Sequence, residues 1–217
     1  NINKIPITTY KIGLSALKNL SVEGFLGYEL HGALGKNIRA ALCPNFKEST
    51  SSFCQSCTCP YSYMFQPSIE IPEILQKRFK DAPRPYFIKT PFSFNTQYFN
   101  AGDVYYWELH VAGNQYLKSN EIAAIAESIT ARGIGSGKKQ WEPEYIITGG
   151  NDLQPNPSIT TGSKKQEITI SFDSPFLPGE YEKTPDTIPF YTLCRNVAHR
   201  LRLLQLFYGN GLFIEDN

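Results

Sequence analysis

The sequence predicts an α+β fold, because segments with the period of a strand and segments with the period of a helix follow one another along the chain. Polar and apolar residues alternate over residues 5–14, which indicates a half-buried strand. Over residues 30–42 the apolar side chains instead recur every four positions, which predicts a helix that ends at Cys43 and Pro44. The glycine-punctuated stretch 23–28 is expected to be a tight loop between the two.

The later segments complete a known order of elements. Residues 85–94 and 104–111 predict a hairpin of two strands, with its turn at residues 100–103. Asn120 is expected to cap a second helix, and residues 141–148 supply another strand. The order strand, helix, hairpin, helix, strand is that of the ferredoxin-like fold, which RNA-recognition modules share.

Two domains are expected. Residues 149–165 are rich in Gly, Pro, Asn and Ser and predict a linker, so the first ferredoxin-like domain is assigned to residues 1–154. Beyond the linker, residues 166–172 alternate as a strand and residues 189–208 form an amphipathic helix. The strand-then-helix order thus begins again, and residues 155–217 are expected to form the start of a second ferredoxin-like domain, incomplete because the remaining strands are missing.

Composition narrows the classes of function. A hydrophobic content of 41% can fill a core, and the formal net charge is only +1. Any nucleic-acid site must therefore come from local clusters of Lys and Arg. The sequence has no run of about 18 uncharged apolar residues and no signal-like apolar stretch at its beginning. We expect a folded cytoplasmic protein with no membrane partner.

Four of the five cysteines lie between residues 43 and 59, inside a stretch of about residues 43–80 that shows no sustained period. This clustering is unlike the disulfide framework of a secreted domain. Four thiolates can bind one tetrahedral zinc ion, which would hold this insertion together, whereas buried cysteines can also pack as small hydrophobic residues. The predicted ligands of a structural zinc ion are Cys43, Cys54, Cys57 and Cys59.

A basic, glycine-rich loop follows the second predicted helix. Its glycines allow backbone N–H groups to approach a phosphate, and the flanking cations supply charge. The spacing differs from that of a P-loop, which argues against a nucleotide hydrolase. The alternative is an ordinary turn with solvated lysines. The residues predicted to bind RNA here are Arg132, Gly133, Gly135, Gly137, Lys138 and Lys139.

The three histidines have different settings. His31 is predicted at the start of the first helix, where anions are favoured, and it could move protons around a phosphate or serve a structural role. His199 shares a helix face with Arg195 and Arg202, which could bind phosphates or simply be solvated. His110 lies in an aromatic strand and is interpreted as part of the core or of the sheet surface.

Short motifs lie in a fixed order along nearly the whole chain. They are residues 27–35 (GYELHGALG), Cys43, Cys54 and Cys57, residues 59–65 (CPYSYMF), 83–86 (PRPY), 101–103 (AGD) and 132–135 (RGIG), and residues 199–204 (HRLRLL). This ordered set resembles the CRISPR-associated RAMP superfamily, and within it the endoribonucleases that process precursor CRISPR RNA.

The resemblance implies two tandem ferredoxin-like domains and a groove that binds CRISPR repeat RNA. It also implies cleavage without a metal cofactor, in which the RNA's own 2′-hydroxyl attacks the adjacent phosphate and leaves a 2′,3′-cyclic phosphate. By position, His31 matches the general acid or base of many members, Tyr28 and Lys36 are its companions, and Arg39 is assigned to RNA binding.

Two other functions remain open. A non-catalytic RAMP subunit would bind guide RNA in an antiviral interference complex with other CRISPR-associated effector subunits, using the same glycine loop. A zinc-stapled structural or interaction protein would keep the cysteine cluster while its basic residues are merely solvated.

Overall fold

The computed structural model describes residues 5–44, 46, 59–67, 82–91, 93, 95–113, 117–134, 141–149 and 189–209. Within these ranges the predicted order of strand, helix, two paired strands, helix and strand is present, and β2, α2 and β4 are additional elements. They are β1 (Ile7–Ala16), β2 (Leu20–Val22), α1 (Leu26–Leu42), α2 (Pro60–Phe65), β3 (Tyr86–Lys89), β4 (Gln97–Phe99), β5 (Val104–Ala112), α3 (Ser119–Arg132), β6 (Trp141–Gly149) and α4 (Phe190–Tyr208).

The central element is an antiparallel sheet of four strands in the order β3-β5-β1-β6. Strand β1 pairs along almost its whole length with β5, from Ile7 opposite Ala112 to Ser15 opposite Val104. On its other side β1 pairs with β6, with an irregularity between Ile12 and Leu14. The two central strands are β5 and β1, and the outer strands are β3 and β6. With α1 following β1 and α3 following β5, this arrangement is a ferredoxin-like fold. The predicted α+β class is confirmed.

The core lies between one face of this sheet and the helices α1 and α3. Alternate side chains of a strand point to the same face, so the even-numbered residues of β1 from Tyr10 to Ala16 reach the core. Each such aliphatic side chain contributes about 1.5–3 kcal/mol when it is fully buried. The core includes Tyr10, Ile12 and Leu14 of β1, Leu30, Leu34 and Ile38 of α1, Trp107 and Leu109 of β5, and Ile122, Ile125 and Ile129 of α3.

Helix α1 begins at Leu26, four residues before the predicted start, so the expected loop over residues 23–28 is half wrong. The turn comes from Gly24, whose φ of 76° favours glycine. Gly27 lies inside the helix, and the Phe25 ring packs so closely against it that a Cβ there would lie 2.5 Å from that ring. As a result, His31 is the sixth residue of the helix and not at its start.

The two strands of the predicted hairpin, β3 and β5, do pair, but the short strand β4 lies between them in the chain and the predicted turn follows β4. Strands β3 and β5 pair antiparallel, with Tyr86 opposite Val111. The turn at residues 100–103 instead joins β4 to β5, and β4 pairs with β2 in a separate two-stranded ribbon. In this turn Gly102 has a φ of 89°, and the backbone N–H of Asn100 donates to Asp103 Oδ2 at 2.7 Å.

Two smaller expectations are corrected. The N-cap of α3 is Lys118, and Asn120 is the second helical residue. The cap is made by Glu121, whose Oε2 accepts a hydrogen bond from the backbone N–H of Lys118 at 2.7 Å. The cysteine-rich insertion is not irregular throughout, since α2 forms within it with Pro60 at its first position, where proline is tolerated.

Helix α4 confirms the predicted amphipathic helix within one residue of its expected start. Of its predicted apolar stripe, Phe190, Val197 and Leu201 are exposed, while Tyr208 is buried. The linker after Gly149 and the strand predicted at residues 166–172 lie outside the described residues, so the second domain stays a prediction. None of the described helices is long and apolar enough to cross a membrane.

Candidate functional site

The exposed His31 of α1 meets a side chain from the sheet. Its Nε2 lies 3.4 Å from the hydroxyl oxygen of Tyr86, and the two rings are nearly parallel, with centroids 6.0 Å apart. Tyr86 begins β3 and is only 8% exposed. An exposed surface side chain therefore lies against a buried one from the core.

Helix α2 supports Tyr86 from the side. The Phe65 ring lies 4.9 Å from the Tyr86 ring, and Tyr61 stacks on Phe65 at 5.4 Å. Phe65 can approach α1 because Gly35 has no side chain there, and a Cβ at this position would lie 3.0 Å from the ring. The guanidinium of Arg84 lies 5.9 Å from the centroid of the Phe65 ring. An arginine is thus present two residues before Tyr86.

Burial raises the pKa of the Tyr86 phenol, and the charge of Arg84 and its hydrogen bond to the phenol oppose this in part. Because the net direction is upward from a value of 10.0, the phenol keeps its proton at neutral pH. Tyr86 therefore offers His31 a neutral hydroxyl group and not a phenolate.

Helix α4 anchors the segment that leads into β3. Arg200 donates from Nη2 to the carbonyl oxygen of Arg84 at 2.8 Å, and Tyr208 donates its hydroxyl to the carbonyl of Pro83 at 2.7 Å. The Tyr208 ring also packs edge-on against Tyr63. Burial raises the pKa of Tyr208, so this hydroxyl remains a donor. The backbone before Tyr86 is thus fixed by a helix more than 100 residues away in sequence.

The two predicted companions of His31, Tyr28 and Lys36, lie in different directions from His31 around the axis of α1. Tyr28 precedes His31 by about one turn, is 59% exposed, and packs edge-on against Phe25 at 5.2 Å. Lys36 is exposed five residues after His31, which corresponds to a rotation of about 140° around the helix axis. The structure does not bring the Lys36 and His31 positions onto one face, and the roles of Tyr28 and Lys36 stay predictions.

Arg39 contacts aromatic rings near the cysteine-rich insertion. Its guanidinium lies 5.7 Å from the Tyr61 ring and 6.0 Å from that of Phe46, in reach of cation–π attraction. The predicted RNA-binding residue Arg39 is thus half-buried in the last turn of α1, about two turns after His31.

Two of the predicted zinc ligands come together. Cys43, the C-cap of α1, and Cys59, the N-cap of α2, belong to one buried cluster against which Tyr61 packs. Cys54 and Cys57 lie outside the described residues. Among the residues that are described, no group of three His, Cys, Asp or Glu side chains could hold a metal ion.

The glycine-rich loop is described only at its beginning. Arg132 is exposed in the last turn of α3, and Gly133 ends the helix with a φ of 72°, which favours glycine at this position. Ile134 is fully buried and ties the loop to the core. The predicted phosphate-binding residues Gly135, Gly137, Lys138 and Lys139 lie outside the described residues.

The predicted basic face of α4 is exposed to solvent. Arg195, His199 and Arg202 are all exposed, and the Arg195 guanidinium lies 5.8 Å from the Tyr191 ring. Because Arg200 of the same helix reaches Arg84, this basic helix adjoins the segment that carries Tyr86.

His110 forms a second cluster on the opposite face of the sheet. Its Nδ1 lies 2.9 Å from Thr9 Oγ1, and its Nε2 lies 3.1 Å from Glu108 Oε2. Phe87 stacks on the imidazole at 4.2 Å, and Lys89 lies 3.6 Å from the same Glu108 oxygen. Burial lowers the pKa of His110 and outweighs the opposite effect of Glu108.

Sequence reasoning did not assign a site role to Arg84, Tyr86 or Arg200. The first two lie in the PRPY motif at residues 83–86, where two prolines restrict the backbone around an arginine and precede an aromatic residue. That pattern is a usable signal for a fixed, functional segment. The partnership with His31 spans 55 residues and gives no local signal.

No curated protein matches the chain. A family model described as an N-terminal domain, AF_1859_N, matches residues 5–169, which is well over half of the sequence and includes all of the four-stranded sheet. The chain therefore belongs to the AF_1859_N N-terminal domain family.

Proposed function

We propose that this protein is a CRISPR-associated RAMP endoribonuclease that cuts precursor CRISPR RNA without a metal cofactor. The observation that carries the proposal is the contact of an exposed histidine, His31, with the fixed phenol of Tyr86, beside the guanidinium of Arg84. A ring that can exchange protons and a cation that can stabilise a phosphate are what such a reaction requires.

In this chemistry the 2′-hydroxyl of the RNA forms a bond to the adjacent phosphorus, and the bond from phosphorus to the 5′-oxygen breaks. The 2′-oxygen loses a proton and the 5′-oxygen gains one, so the products are a 2′,3′-cyclic phosphate and a 5′-hydroxyl. The transition state carries extra negative charge on the phosphoryl oxygens. His31 is proposed as the general acid or base, and Arg84 as a stabiliser of that charge.

Helix α4 supplies the charge pattern that RNA binding requires. It contains three arginines and no acidic residue, in a chain whose formal net charge is only +1. Phosphate binding by such a local cluster releases counterions and weakens steeply as salt rises. The proposal implies a cytoplasmic protein, with CRISPR repeat RNA and other CRISPR-associated effector subunits as its partners.

A second candidate function is a RAMP subunit that binds guide RNA without cutting it. One observation favours it: Lys36 lies about 140° around α1 from His31, so the predicted group of His31, Tyr28 and Lys36 does not share one face. A protein of this kind would keep the basic helix and the glycine loop and would lack a complete set of proton-transfer groups.

A structural zinc ion is proposed separately from the reaction. Cys43 and Cys59 meet in one buried cluster, and the segment between them carries the other two thiols, Cys54 and Cys57. Four thiolates satisfy the tetrahedral preference of zinc. Metal analysis of protein purified under reducing conditions should find one zinc per chain, and Cys43→Ser should release it. Zinc-free folded protein would contradict the site.

The test of the function is incubation of the purified protein with repeat RNA in EDTA, followed by analysis of the product ends. We expect a 2′,3′-cyclic phosphate, and binding that weakens as salt is raised. Tight, salt-sensitive binding without cleavage would favour the guide-RNA subunit. Absence of salt-sensitive binding would contradict both and favour a structural protein. Circular dichroism with and without EDTA checks that the fold is retained.

A further inference from the structure

The hydroxyl of Tyr86 has two described neighbours with which it can hydrogen-bond. The Arg84 guanidinium has only N–H donors, so toward Arg84 the phenol oxygen can act only as an acceptor. The phenol has one proton left to donate. His31 Nε2, 3.4 Å away, is the described acceptor for it.

We propose that Tyr86 is a positioning residue that holds neutral His31 as the tautomer with its proton on Nδ1. The phenol donates to Nε2, and a neutral imidazole that accepts at one nitrogen carries its proton on the other. His31 therefore presents an N–H donor to an incoming phosphate. The lone pair that a general base would need is already engaged by Tyr86.

The residues around Tyr86 hold its hydroxyl group in place beside His31. The tyrosine is buried at the start of β3 and packed against Phe65, and the backbone of Arg84 is held by Arg200 of α4. The ring of His31 is exposed and would otherwise sample both tautomers. A fixed hydroxyl on a rigid strand can select one of them, because the partner does not move when the histidine does.

The role of this tautomer in RNA cleavage rests on the proposed function and refines it. It selects the donor role for His31 over the base role. The Nδ1–H group would hydrogen-bond to an oxygen on which negative charge develops as the bond to the 5′-oxygen breaks. Water would take the proton from the 2′-hydroxyl and give one to the departing 5′-oxygen, so His31 would stay neutral throughout. Neutral His31 would be the active form, with Arg84 supplying the positive charge beside it.

Nitrogen-15 NMR of the histidine rings tests the tautomer in the RNA-free protein. At a pH above the histidine titrations, His31 should show a protonated Nδ1 and an unprotonated Nε2. His31→Gln identifies its signals among the three histidines. In Tyr86→Phe, which keeps the ring that packs on Phe65, the preference should disappear while His199 is unchanged. A protonated Nε2 in the unmodified protein would overturn the proposal, even if Tyr86→Phe fails to fold.

RNA cleavage provides a second readout that separates the two proposals. Tyr86→Phe should slow cleavage about three- to tenfold, the effect of one hydrogen bond, without weakening RNA binding. If the unmodified protein has the expected tautomer and does not cut RNA, the proposed function fails and the positioning role stands. If it cuts RNA and the His31 signals are the same in Tyr86→Phe, the positioning role fails alone.

Discussion

Two histidine clusters share the edge strand β3 and differ in how completely their rings are satisfied. Adjacent residues of a strand point to opposite faces, so Tyr86 contacts His31 on the core side while Phe87 stacks on His110 on the other side. Each imidazole thus has an aromatic ring from β3 and a hydroxyl group nearby. The same ingredients produce two different environments.

Burial and hydrogen bonding account for the difference. His110 is 3% exposed, and both of its nitrogens have partners, Thr9 at 2.9 Å and Glu108 at 3.1 Å. His31 is exposed, and in the described part of the chain only its Nε2 has a hydrogen-bond partner. An imidazole with both nitrogens hydrogen-bonded inside the protein can stabilise the fold, whereas an imidazole with one nitrogen open to solvent can hydrogen-bond to a substrate. The comparison indicates a structural role for His110 and is consistent with the chemical role proposed for His31.

The largest expected effect separates the two clusters by activity. If the proposed function is correct, His31→Ala should lower the rate of RNA cleavage by at least about 10²-fold, because it removes the ring that is proposed to contact the reacting phosphate. RNA affinity and folding stability should stay close to their original values. Single-turnover cleavage and filter binding with repeat RNA measure both quantities.

The matched control is Lys36→Ala, an exposed cation on the same helix that faces about 140° away. Its cleavage rate should change far less than that of His31→Ala. Equal losses with unchanged RNA affinity would support the companion role that the resemblance implies for Lys36. Equal losses that follow a loss of RNA affinity would show that α1 acts through RNA binding, and would contradict a special role for His31.

The second largest effect should be a loss of folding stability on substitution of His110. His110→Ala removes the ring on which Phe87 stacks and leaves the Thr9 hydroxyl and the Glu108 carboxylate without it. We expect a loss of roughly 1–3 kcal/mol in the free energy of unfolding. Urea unfolding followed by circular dichroism measures it. His31→Ala should stay within about 0.5 kcal/mol of the original protein, and the reverse ranking would contradict the assignment.

The fold was largely predictable because its signals are local. Alternation in β1 and the four-residue recurrence in α1 each report the side chains that face the core, and the order of elements then selects the topology. The start of α1 was not predictable in this way. Gly27 normally signals a break, but the close packing of the Phe25 ring leaves no room for a Cβ there, so glycine is used inside the helix.

The site was predictable only in part because its contacts join distant segments. His31 was identified from its neighbours in sequence, but Tyr86 reaches it across 55 residues and Thr9 reaches His110 across 101. Such pairs depend on strand order and register, which one sequence does not specify. The companion role of Lys36 came from the family resemblance, and helix geometry turns the Lys36 position away from His31.

The smallest effect is a pH dependence of stability that should follow His110. Burial lowers the pKa of this histidine in the folded protein below its ordinary value of 6.5. Between the two pKa values the unfolded chain binds more protons than the folded one, so stability rises with pH there. The contribution is complete above about pH 6.5 and is lost as pH falls through the lower, folded pKa.

Urea midpoints at about pH 7.5 and about pH 5 measure this slope, and other groups that titrate in the range contribute to it. The matched variants isolate His110: His110→Gln, which cannot titrate, should show a shallower decrease, while His31→Ala should keep that of the original protein. The groups that face His110 are Thr9, Phe87, Glu108 and, through Glu108, Lys89. An unchanged slope in His110→Gln would mean that the pKa of His110 is the same in the folded and the unfolded chain, and would contradict the downward shift that burial is expected to cause.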